Sequence, residues 1–91
     1  MSHTVTHSVV VTDPIGLHAR PIGQIVALVK GRSVTVHLKR PDGPPVEAVS
    51  ALKLLAMKVK TAEELEVVVE ADSLEDAEHI ARTIESLINQ G

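Results

Sequence analysis

With 91 residues and a formal charge of −3, the chain has material for one small core and no positive field with which to grip nucleic-acid phosphates. It contains no Phe, Tyr, Trp or Cys, which removes base-stacking platforms, disulfides and thiolate metal sites. The core must be built from Val, Leu, Ile and Ala, with Met57 as an adaptable filler. No stretch is apolar and long enough to span a membrane, and no signal-peptide pattern opens the chain. The expectation is a single domain over residues 1–91, cytoplasmic, with no cofactor, no metal, no nucleic acid and no membrane insertion.

In chain order, Val5, Val9 and Val11 alternate with polar residues and predict a strand with one buried face. His7 falls in the same phase, near the exposed strand end. His3 and His7 share a face, but no third metal ligand is evident and a polar strand face explains both. Thr12-Asp13-Pro14 forms a loop into Ile15-Gly16-Leu17-His18-Ala19-Arg20-Pro21. Pro21 suits the first turn of a helix, and Ile22, Ile25, Val26 and Val29 recur at helical spacing, so a helix runs from Ala19 to about Lys30. Gly31 closes it in the left-handed conformation. His18 then sits at a helix N-terminus, where free N–H groups and the positive dipole end converge, with Arg20 two residues on. That combination can hold a phosphoryl group on histidine. On spacing alone, a capping histidine beside a surface arginine is the simpler account.

Val34, Val36 and Leu38 alternate with Thr35, His37 and Lys39 and predict a second half-buried strand, with His37 solvated. Pro41-Asp42-Gly43-Pro44-Pro45 is the densest turn signal, leading to a short edge strand around 46–48. Ser50 reads as the N-cap of a two-turn helix ending near Met57. Leu54 and Met57 face the core, and Ala51, Leu52 and Leu55 the other side. Leu65, Val67 and Val69 alternate with glutamates in the last strand, Val68 being an apolar exception. Asp72-Ser73 caps a final helix whose apolar face comprises Leu74, Ala77, Ile80, Ala81, Ile84, Leu87 and Ile88. His79 lies off that stripe, placed for a surface pairing with Glu75. One-sided strands call for an antiparallel sheet with helices on a single face, an α+β layer architecture.

Gly16-Leu17-His18-Ala19-Arg20-Pro21 resembles the active-site signature of HPr, the histidine phosphocarrier of the bacterial phosphotransferase system. Val46-Glu47-Ala48-Val49-Ser50-Ala51-Leu52-Lys53-Leu54 resembles that family's regulatory-serine segment, and the likeness spans nearly the whole chain. The resemblance implies an open-faced sandwich of four strands in order 1-4-2-3 with three helices on one face. It also implies a phosphocarrier, rather than a turnover enzyme, that accepts a phosphoryl group on Nδ1 of His18 from phosphorylated enzyme I. The group then passes to the EIIA domain of a sugar-specific enzyme II. Gly16, Leu17, Ala19 and Arg20 would bind the phosphoryl group, Ser50 would be a regulatory phosphorylation site, and Ala51, Leu52 and Leu55 would dock partners. Those partners extend to a serine kinase and transcription regulators, with the chain itself a monomer. A regulatory module read through Ser50 and a carrier in the related nitrogen-regulatory branch are the alternatives. Three departures from the family pattern stand out. Ile15 occupies a position that is usually small or polar and could bond the phosphoryl group, so the orientation of the histidine is open. Lys58 and Ala62 replace common glycines, where a helix end and a turn must form with more restrictive residues.

Overall fold

Alternation along the valine-rich segments and helical periodicity between them give seven elements in the computed structural model, which describes residues 2–90. They are β1 (His3–Val10), α1 (Ala19–Lys30), β2 (Thr35–Lys39), β3 (Val46–Glu47), α2 (Ala51–Ala56), β4 (Glu64–Ala71) and α3 (Leu74–Ile88). The strands form one sheet in the order β1-β4-β2-β3, with every neighbouring pair antiparallel. This is the expected open-faced α+β sandwich, helices on one face.

β4 takes the centre because its inward residues are the most uniformly apolar: Leu65, Val67 and Val69 are wholly buried. They align with Val9, His7 and Val5 of β1 on one side, and Val67 and Val69 align with Leu38 and Val36 of β2 on the other. α3 lies across β1 and β4, and α1 packs against both α2 and α3. The core between the layers is aliphatic throughout, built chiefly from Ile22, Ile25, Leu38, Leu54, Ile80, Ile84 and Ile88. Met57 packs at its margin.

Four expectations are corrected. His7 is not at a strand end but in mid-strand opposite Val67, half-buried, its Nε2 2.6 Å from Oε1 of Glu85 on α3. Leu74 is half-exposed rather than part of the apolar face; as the first helical residue it precedes the turn on which that face begins at Ala77. His79 makes no pair with Glu75 among the described residues. The helix carries a Glu78–Arg82 pair instead, at 3.9 Å. Gly31 has φ −82° and ψ 0°, not a left-handed conformation. α1 tightens at its end, Arg32 N–H donating to the Val29 carbonyl, so the chain turns away without a positive φ.

Among the described residues, no helix is long and apolar enough to cross a membrane. Nor does any cluster of three or more His, Asp or Glu suit a metal ion.

Candidate functional site

The loop between β1 and α1 is held by backbone hydrogen bonds and by the buried side chains of Val11 and Leu17. Val11 N–H donates to the Glu63 carbonyl and Ala62 N–H to the Val11 carbonyl, extending the sheet pairing beyond β1. Among the described residues Asp13 is the one buried charged side chain, 3 % exposed. Its Oδ1 accepts the Ile15 N–H at 2.9 Å, and its backbone carbonyl accepts the Gly16 N–H, an Asx-type turn. Gly16 then adopts φ +84°, and a Cβ there would lie 2.5 Å from the Val59 carbonyl oxygen. Only glycine fits both the dihedral and the contact. Leu17 N–H donates to that same Val59 carbonyl, and its side chain is buried.

The chain therefore arrives at His18 in a fixed direction. His18 is the N-cap residue of α1 (φ −108°, ψ −178°), and its side chain does not cap the helix. With the ring turned elsewhere, the N–H groups of Ala19 and Arg20, the first two helical residues, have no intrahelical acceptor. The third helical residue is Pro21, which has no N–H to offer. Ile22 N–H closes the first turn on the His18 carbonyl. Arg20 is exposed, and its guanidinium enters no ion pair among the described residues. His18, Ala19 and Arg20 are thus brought together at one open helix end. Gly16 and Leu17 do not belong to the donor set, a correction to the expected phosphate site. Their amides are spent on Asp13 and Val59, and their role is to shape the approach.

His18 Nε2 lies 3.3 Å from Asp13 Oδ2, with the imidazole about a third exposed and the carboxylate buried. The Ile15 N–H holds the Asp13 carboxyl below its ordinary range against the opposing effect of burial, and His18 adds to the lowering. Ile15, whose place was expected to bear on the histidine's orientation, is largely exposed. Asp13 makes the contact instead. Sequence reading missed it because Asp-Pro before a glycine reads as an ordinary turn signal. Only the Asx turn brings a residue five positions upstream back onto the ring.

A second loop seats the first. α2 ends with Lys58 at φ +52°, and the turn Lys60–Glu63 places Ala62 at φ +74°. These are the two positions where glycine was missed from the sequence, and both residues adopt the conformation a glycine would favour. Arg40 clamps this segment: Nε donates to Glu63 Oε1 at 2.7 Å and Nη2 to the Met57 carbonyl at 2.9 Å. Glu63 Oε2 also accepts the Lys60 N–H. The Glu63 carboxyl is lowered to about 2, first by Arg40 and then by the Lys60 amide. Between these anchors sits Val59, whose carbonyl receives Leu17. No local pattern joins residues 40 and 63, so this clamp was not legible in the sequence.

Ser50 caps α2, its Oγ accepting the Lys53 N–H at 3.3 Å. Leu54 is wholly buried while Leu52 is 81 % and Leu55 40 % exposed, with Ala51 also at the surface. Helix α2 packs on α1, and the loop that follows it lies against Gly16.

A family model described as the PTS HPr component phosphorylation site matches residues 5–90. Phosphocarrier protein NPr of Escherichia coli (strain K12) is 33 % identical over 88 residues, covering 97 % of this chain and 94 % of that protein. Phosphocarrier protein HPr of Streptomyces coelicolor is 34 % identical over 70 residues, 76 % of this chain and 75 % of that one. The crystal structure of a phosphocarrier protein HPr from Bacillus anthracis superposes with a TM-score of 0.76 at 23 % identity, covering 92 % of this chain and 95 % of its own. That likeness bears on the fold alone, whereas the family match and the curated relatives bear on ancestry. By both, the chain belongs to the HPr family of phosphocarrier proteins.

Proposed function

We propose that His18 is the carrier residue, accepting a phosphoryl group on Nδ1 from phosphorylated enzyme I and passing it to an EIIA-type domain. The observation that carries this reading is the uncapped start of α1. A partly exposed imidazole, two unpartnered amides and the exposed residue Arg20 share one helix end. A carrier must stabilise a phosphoramidate without trapping it. Two amides and one exposed arginine at an open surface meet that need, where a closed cage of cations would hold the group too tightly. Ala51, Leu52 and Leu55 form the docking surface for both donor and acceptor. Ser50, at the margin of that surface, is the regulatory position; a phosphate there would set negative charge against an incoming partner.

Two branches of phosphotransfer remain as destinations. Carriage to a sugar-specific EIIA is one reading. Similarity to proteins named NPr over almost the full chain favours the second, the nitrogen-regulatory branch.

The test is incubation with enzyme I and labelled phosphoenolpyruvate, then presentation of the labelled protein to EIIA domains of each branch. Acid-labile label is expected in the wild type and absent from His18→Ala, while changes at His3, His7, His37 and His79 leave it intact. Label persisting in His18→Ala would end the proposal. Arg20→Ala should slow transfer on the order of tenfold to a hundredfold, the worth of a charge-assisted hydrogen bond of ~1.5–3 kcal/mol. The amide donors remain in that variant.

A further inference from the structure

We infer that Asp13 is the positioning residue of His18: its buried carboxylate holds the imidazole proton on Nε2 and so leaves Nδ1 as the attacking nitrogen. The inference rests on the carrier reading of His18 and adds the group that decides which ring nitrogen reacts.

Three observations converge. The Asp13 side chain is almost wholly enclosed, a placement that a carboxylate rarely takes without dedicated partners. Both its oxygens are assigned, Oδ1 to the Ile15 N–H at 2.9 Å and Oδ2 to His18 Nε2 at 3.3 Å. The loop that carries it is pinned by the Gly16 N–H on its own carbonyl and by Leu17 on Val59, so the carboxylate cannot swing away from the ring. An ionised carboxylate only accepts hydrogen bonds, so the ring nitrogen facing it must be the donor. In a neutral imidazole with the proton on Nε2, the in-plane lone pair is on Nδ1. The 3.3 Å separation is long for the resting state and leaves room to shorten when the ring gains charge.

The Nδ1 lone pair forms a bond to phosphorus of the donor's phosphohistidine. The donor P–N bond breaks and its electron pair returns to the donor ring. The proton on Nε2 stays in place, so the His18 ring becomes cationic as the new P–N bond forms. Asp13, already ionised and facing Nε2–H, stabilises that charge without itself taking the proton, the role a carboxylate plays toward histidine in hydrolytic triads. The same contact favours the reverse step, because a cationic ring is the better leaving group for onward transfer.

The test is Asp13→Asn. Its Oδ1 can still accept the Ile15 N–H, but its amide NH₂ would face Nε2 and call for a lone pair there, driving the proton to Nδ1. Nitrogen-15 NMR of the His18 ring at alkaline pH should show the Nε2–H tautomer dominating the wild type and a shift toward Nδ1–H in the variant. Phosphorylation by enzyme I should slow on the order of tenfold to a hundredfold, with circular dichroism unchanged. A wild-type ring protonated on Nδ1 would overturn the inference, and so would the same tautomer in both proteins or an Asp13→Asn rate within about twofold of wild type. The tautomer is read on wild-type protein with no donor present, so it stands even if the variant folds poorly. Absent labelling of wild-type protein, by contrast, would count against the carrier reading.

Discussion

Single residues with unusual backbones govern how the site is presented. Gly16 is irreplaceable on two counts, dihedral and contact, and the motif containing it drew notice from the sequence alone. Gly31, expected to be left-handed, does not need its freedom, because α1 ends by tightening rather than by reversing hand. The reversal falls on Lys58 and Ala62, where the side chain crowds the neighbouring backbone. A Gly16-like residue at either place would remove that cost, so Lys58→Gly and Ala62→Gly should each stabilise the protein by about 1 kcal/mol. For a domain of this size that corresponds to roughly 4–8 °C in Tm. Thermal unfolding checks it; an unchanged or lowered midpoint in both variants would show that the loop is unstrained.

Helix α2 shows how one short element serves two masters. Six residues cannot form a stable helix alone, so it depends on the Ser50 cap and on Leu54, which is fully buried. The opposite side then carries Leu52 and Leu55 into solvent. The cap and the sidedness were both legible in the spacing, since a serine before an apolar run and residues three apart need no tertiary information. What spacing left open was whether Leu52 would be swallowed by a neighbouring element, and its exposure answers that. Replacing both leucines with glutamate should leave the melting midpoint near that of wild type and raise the apparent KM for enzyme I. A loss of about 2–5 kcal/mol, the size expected for disrupted core leucines, would instead show that the side chains pack inward in solution.

At the scale of the whole molecule, layer architecture and element order were readable because each strand buries one face and each long helix one stripe. The insertion of β4 between β1 and β2 was not readable from periodicity, which says which face is buried but not which strand lies beside it; it came from the family likeness. Nor was the Arg40–Glu63 clamp, which joins the residue that follows β2 to the loop after α2. That clamp gives acid stability a definite sign. Glu63 is lowered in the folded protein from 4.5 to about 2, so its contribution is complete above 4.5 and fades as the pH falls toward 2. Glu63→Gln should therefore melt below wild type at neutral pH, and the gap should close between pH 4.5 and 2. A gap that stays constant through this range would assign the difference to shape rather than charge. The sheet order has a further consequence, one of timing. β1 pairs residue for residue with β4, from His3 with Ala71 to Val10 with Glu64, and β2 pairs with the other edge of the same strand. While the chain is being synthesised, β1 waits with both edges bare, and β2 finds only the two-residue β3, until β4 emerges from the ribosome. Completion of the sheet waits on this long-range pairing, so the nascent chain carries an unpaired valine-containing strand open to misassociation until β4 is made.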